Sequence, residues 1–169
     1  MDINFQKHLP EDFADNSRVW IYQAGRMFGL GEAFKLQEIL NEFIQEWHAH
    51  GKKVKGYANL FFGRFIILMA DESETVVSGC STDSSVRMIK EVERLFNIDM
   101  FSRTNLAFIV KDKIEAIPLS QVKYALEHGF LHKDTLYFNN TISTKKELEE
   151  NWLIPVKDSW LKDRIPSVA

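Results

Sequence analysis

The stretch Ser78-Gly79-Cys80-Ser81-Thr82-Asp83-Ser84-Ser85 sets the chain's one cysteine between an extended run and the start of a helix. Unpaired amides and the positive end of a helix dipole at such a junction favour thiolate over thiol, the form needed for nucleophilic chemistry. The hydroxyls of Ser81, Ser84 and Ser85, with Asp83 and Arg87 close by, would hold an anion or phosphate there. A cysteine phosphatase closes its loop on an arginine six positions after the thiol. Arg87 stands seven after Cys80, and one extra residue turns a helical side chain by about 100°, so that cradle does not form unaltered. The competing reading is ordinary capping by Ser81 or Asp83, with Cys80 as a small buried hydrophobe.

Three further groups carry chemistry-bearing side chains. Arg18, Trp20, Tyr22, Gln23 and Arg64 form one: alternation puts Trp20 and Tyr22 on one face of a predicted strand and Val19, Ile21 and Gln23 on the other, and the aromatics would line a concave binding patch if they do not simply cover the core. His48 and His50 are two apart, so on a helix their imidazoles diverge by about 200°, and with Asp71 and Glu72 they make a weak case for a metal. Asp71, Glu72 and Glu74 flank Ser73 in what reads as a solvated turn rather than a cation site. The glycines Gly25, Gly29 and Gly31 follow a strand and precede a helix, the order of a dinucleotide loop. Phe34, however, stands where that fingerprint needs a small residue.

The elements that must position these residues follow from hydrophobic period. Val19–Gln23 reads as a first strand. A helix is predicted from Glu32 to His50 on the spacing of Ala33, Leu36, Leu40, Phe43, Ile44 and Trp47, with Gly51 as its stop. Extended runs at Val54–Phe62, Arg64–Ala70 and Thr75–Ser78 succeed one another without a helix between them, which implies antiparallel pairing. A second helix is predicted over Ser84–Phe96, with Met88, Ile89, Val92, Leu95 and Phe96 as its buried stripe. A hairpin follows at Leu106–Val110 and Ile114–Ile117, then a helix from Leu119 to His128 stopped by Gly129. A short strand Thr135–Phe138 precedes a capping box, Thr144 to Glu147, that opens a last helix to Asn151.

Composition bounds the rest. With 169 residues, 45% of them hydrophobic, the chain fills one core without staples. Its net charge of -3 is spread evenly, and the longest basic runs are the pairs Lys52-Lys53 and Lys145-Lys146; nucleic acid is therefore not the expected partner. The longest apolar run, Phe65 to Ala70, is far short of the roughly 20 residues of a membrane helix, so no membrane partner is expected. A single cysteine and a start without the pattern of a signal peptide point to the cytoplasm.

The strings Ser17-Arg18-Val19-Trp20-Ile21-Tyr22-Gln23-Ala24, Trp47-His48-Ala49-His50-Gly51, Arg64-Phe65-Ile66-Ile67-Leu68, Ser78-Gly79-Cys80-Ser81, Phe138-Asn139-Asn140 and Ser159-Trp160 are distinctive. Through them nearly the whole chain resembles a small family of uncharacterised bacterial proteins, some of which carry the label "ABC transporter ATPase". Such an ATPase needs a G-x-x-x-x-G-K-[ST] loop to cradle phosphates. The nearest segment here, Gly25 to Glu32, ends in an acid where the lysine belongs. The resemblance thus implies relatives but assigns no functional residue.

The expected fold class is α+β: a mainly antiparallel sheet with amphipathic helices packed on one face and a C-terminal helical tail. The expectation is a single domain over residues 1–169, with an N-terminal arm at 1–18 and the tail at 141–169. A non-catalytic binding or interaction domain is expected, for a small molecule or a protein, with no cofactor and no metal. Trp152 and Trp160 in the tail suggest a partner surface or a homodimer. The alternative is an enzyme acting through Cys80 or an anion held over Ser81–Ser85.

Overall fold

The computed structural model describes residues 1–167, so the last two positions of the 141–169 tail lie outside the described residues. The fold is α+β with every strand pair antiparallel. The first sheet has the order β1 (Arg18–Gln23), β5 (Phe65–Asp71), β4 (Lys55–Phe61). The second runs β7 (Lys113–Pro118), β6 (Asn105–Val110), β8 (Leu136–Phe138), β9 (Leu153–Pro155). A minimal hairpin, β2 (His48–Ala49) with β3 (Lys52–Lys53), precedes β4.

The two sheets pack face to face, and each carries a helical layer on its outer face. The apolar run Phe65–Ala70 becomes the central strand, buried on both sides. Pleating sends Phe65, Ile67 and Met69 toward the second sheet, where they meet Ala107, Phe138 and Trp152. Ile66 and Leu68 point the other way, against Leu36 and Leu40 of α1 (Leu30–Glu46) and Ile89, Val92 and Phe96 of α2 (Gly79–Phe96). Beyond the second sheet, α3 (Leu119–Glu127) buries Val122, Ala125 and Leu126 on Leu106, Phe108 and Tyr137.

The arm lies across the core between the sheets, with Phe5, Leu9 and Phe13 buried in it. It is fastened by α4 (Lys145–Asn151): the buried Lys145 donates to the Phe13 carbonyl, and the Lys146 amide to that of Asp15. Thr144 and Glu147 cap α4 reciprocally, as their spacing predicts. The tail is only partly helical, since β9 interrupts it before the 3-10 turns Val156–Asp158 and Trp160–Arg164.

Four local expectations are corrected. The first helix ends at Glu46, four residues before His50, because Trp47 turns into the core and leaves His48–Ala49 free to pair with Lys52–Lys53. His50 and Gly51 make that two-residue turn, both with positive φ. Thr75–Ser78 forms no strand. α2 starts at Gly79, five residues earlier than predicted, with Ser78 as its cap rather than Ser81 or Asp83: the Ser78 hydroxyl accepts the Ser81 amide. Leu95 is exposed, and the buried stripe of α2 continues instead through Ser85 to Ser81.

The turn after β5 is organised by Asp71, whose carboxylate is buried. It accepts from the Ser73 hydroxyl and amide and from the Ala14 amide, and Lys55 lies 3.6 Å away. The Ser73 hydroxyl first, then the two amides and Lys55, hold this carboxyl down at about 2 against an ordinary 3.8. A depressed folded-state pKa contributes stability above the unfolded value and loses it as pH falls through the folded one. Asp71→Asn should therefore lower stability at pH 7, and it should flatten the decline expected of the parent protein between about pH 4 and pH 2. Urea midpoints measured across that range check both.

Candidate functional site

β1 is an edge strand whose two sides differ. Its even-numbered residues turn their backbone groups to β5. Val19, Ile21 and Gln23 turn theirs outward, as shown by the Val19 amide donating to the Ser143 carbonyl at 2.9 Å. Pairing on that outer side begins with a bridge between Arg18 and Thr144 and stops there. From Ser143 back to Asn140 the chain peels away from β1 and leaves a wedge between them.

The far end of the wedge is closed by side chains. Gln23 donates to the Asn105 carbonyl at 2.9 Å and accepts from the Asn140 amide at 2.9 Å, while Asn140 accepts the buried Trp152 indole N–H at 3.0 Å. This relay joins the end of the first sheet to the second. Between the relay and the Arg18 bridge lies a cleft of about 480 Å³.

One wall of the cleft is β1 itself from Val19 to Gln23. A second is the segment Met100–Arg103, held by the Asp99 carboxylate accepting the Phe101 and Ser102 amides and by the Gly25 amide donating to the Asp99 carbonyl at 2.7 Å. The third is Tyr137 with Trp160, whose indole donates to the Tyr137 hydroxyl at 3.1 Å. Tyr22 and Phe101 meet edge to face at the rim, ring centres 5.8 Å apart. Burial pushes the phenol pKa of both Tyr22 and Tyr137 up, so both are neutral donors at pH 7. Arg103 is the only formally charged residue lining the cleft, and no carboxylate pairs with it among the described residues. The arrangement is an aromatic, neutral slot with one cation at its mouth, suited to holding an apolar or planar body with an anionic group.

The structure brings Trp20 and Tyr22 to this cleft, but not Arg64. That guanidinium is buried, and it donates to the carbonyls of Ala24 and Gly25 at 3.1 and 3.0 Å, bracing the loop after β1. Cys80, Asp83 and Arg87 lie elsewhere, at i, i+3 and i+7 on one exposed stripe of α2. The hydroxyls expected to join them are already engaged. Ser81 is buried and donates to the His48 carbonyl, Ser85 is buried and donates to that of Thr82, and Ser84 donates to that of Ser81. No cleft residue is shared with this helix start.

At the head of α1 the amide of Gly29 is taken by the Glu32 carboxylate at 2.7 Å, which also pairs with Arg26 at 2.9 Å. The helix end that a phosphate would need is thus occupied by the chain's own acid. Among the described residues no three His, Cys, Asp or Glu side chains are grouped to hold a metal ion. Trp152 is fully buried and unavailable to a partner, whereas Trp160 keeps 43% of its surface exposed. No described helix is long and apolar enough to cross a membrane.

Of the residues that shape the cleft, sequence reasoning grouped Gln23 with Trp20 and Tyr22 but missed Asn140, Arg103 and Tyr137, of which only Asn140 lay in a string singled out, Phe138-Asn139-Asn140. The chain matches no protein-family model, no curated protein and no solved structure.

Proposed function

We propose that this chain is a non-catalytic binding domain, a cytoplasmic member of the bacterial family it resembles, and that its ligand seats in the cleft beside β1. The observation that carries this reading is the wedge itself. Two segments that begin to pair at Arg18 and Thr144 separate to leave about 480 Å³ lined by aromatic rings, neutral hydroxyls and amides, and one unpaired arginine. Ligand pockets are commonly of this size and have this balance of apolar walls and few polar groups. None of the cleft's side chains is a nucleophile set against a base, so its chemistry is recognition.

A fragment screen by two-dimensional NMR tests the reading. Binders should move the Trp20 and Trp160 indole signals and the Gln23 side-chain amide, and leave Trp47 unmoved. Fragments that collect elsewhere, or nowhere, overturn it. The rival reading, catalysis through Cys80, is favoured by that thiol's exposure in the first turn of α2. In the folded protein Cys80 should be alkylated by iodoacetamide no faster than glutathione, with fragment binding unchanged afterwards. A faster rate, or loss of binding on alkylation, would favour the enzyme.

A further inference from the structure

Within that binding reading, we infer that the cleft takes an extended peptide with a free C-terminal carboxylate, which adds as a strand to the open edge of β1. The first observation is backbone chemistry. By the alternation that the Val19-to-Ser143 bond fixes, the Val19 carbonyl, both backbone groups of Ile21 and the Gln23 amide point into the wedge. No strand pairs with them there. Four backbone groups left in a row on an aromatic-lined slot are a template for main-chain hydrogen bonds.

The second observation is charge. Among the described residues Arg103 alone supplies formal charge to the lining, and it sits on the segment whose two ends are tied to the end of β1, Asp99 by the Gly25 amide and Asn105 by the Gln23 side chain. It therefore stands toward the C-terminal end of β1. A strand running parallel to β1 would bring its own C-terminus to that end, whereas an antiparallel one would carry its carboxylate away. In parallel register three peptide residues satisfy all four groups: the Ile21 amide and carbonyl bond the residues before and after the one opposite, and those same residues reach Val19 and Gln23. The Arg18–Thr144 bridge closes the slot behind the peptide's N-terminal side, and the Gln23–Asn140 relay sets its depth. Side chains alternating from such a strand would face the aromatic walls, which explains why a binding slot has so few polar groups beyond its edge.

The test uses the whole chain and a pool of acetylated pentapeptides of random sequence with free C-termini. The pool should slow amide hydrogen exchange at Ile21 and Gln23 and move the Trp160 indole signal. Amidating the peptide C-termini, or the variant Arg103→Gln, should weaken binding about tenfold, the scale of one charge-assisted hydrogen bond. Peptides N-methylated throughout should not protect Ile21, and this arm does not depend on any variant folding. If small fragments occupy the cleft while the pool leaves Ile21 and Gln23 exchange unchanged, the strand inference fails and the binding reading survives. If neither fragments nor peptides perturb the cleft, both fail.

Discussion

Trp152→Ala is expected to destabilise the fold by about 3–5 kcal/mol, the range for removing a large buried aromatic. Five aromatic rings surround this indole: Phe5 of the arm, Phe61, Phe62 and Phe65 of the first sheet and its turn, and Phe138 of the second, with centres 4.9 to 6.0 Å away. They come from three separate parts of the chain, the arm, the β4–β5 hairpin and β8, so no single backbone shift can close the void. The indole N–H also holds Asn140, and through it Gln23, so the loss should reach the cleft. Guanidinium denaturation measures the first effect. The Gln23 side-chain amide signals measure the second, and they should broaden or move. Trp152→Phe keeps most of the ring but not the N–H; it should lose about 1–3 kcal/mol, partly from the Asn140 carbonyl left without its donor. A loss from Trp152→Ala below about 1 kcal/mol would show that this junction is not the keystone its contacts describe.

Gly56→Ala is the second substitution with a large expected effect, because it adds only one carbon and has nowhere to put it. A Cβ on Gly56 would sit 2.7 Å from Trp47 Cε3 and 3.2 Å from Ile44 Cδ1. Trp47 cannot step aside easily. Its indole donates to the Ser81 carbonyl at 3.0 Å, and its ring is flanked by Trp20 and Phe43 at 5.9 and 5.0 Å. Overpacking of this kind costs about 1–3 kcal/mol. The remedy identifies the cause: in a Trp47→Phe background the same Gly56→Ala change should cost clearly less, and a double-mutant cycle read by urea denaturation reports the difference. Equal costs in both backgrounds would place the strain elsewhere.

How far the sequence could be read depended on how local each signal was. The capping box Thr144–Glu147, the stop at Gly129 and the hairpin turning at Lys111–Asp112 were legible because their determinants lie within a few residues. The antiparallel class was legible from strands that follow one another without crossovers. The end of α1 was not, because Trp47 leaves the helix for a pocket built by Trp20, Val54 and Val77, none of which the helical period can see. The same blindness hid the buried serines of α2. Ser81 and Ser85 read as ligands because hydroxyls near a helix start suggest an anion, yet their partners are carbonyls of His48 and Thr82.

At the cleft the division is sharper. Alternation in β1 was enough to single out Trp20 and Tyr22. The relay that shapes the slot joins Gln23 to Asn140, 117 positions later, and no pattern in one sequence announces a contact at that distance. Arg64 was grouped with the aromatics for its charge. The tight turn at Phe62–Gly63 instead aims it at the carbonyls of Ala24 and Gly25, where it supports the wall from behind.

The way the arm is fastened bears on how the molecule is made. Phe5, Leu9 and Phe13 leave the ribosome long before the groups that secure them, Lys145, Lys146, Leu148 and Trp152. Until then the inner face of the first sheet, with Phe65, Ile67 and Met69, is only partly covered, by Ala107 and Phe138 of the second. A nascent chain in that condition presents a broad greasy surface to the cell, the sort of surface that chaperones guard. Closing of this core is thus a late, long-range event, in which residues past position 140 lock down the arm.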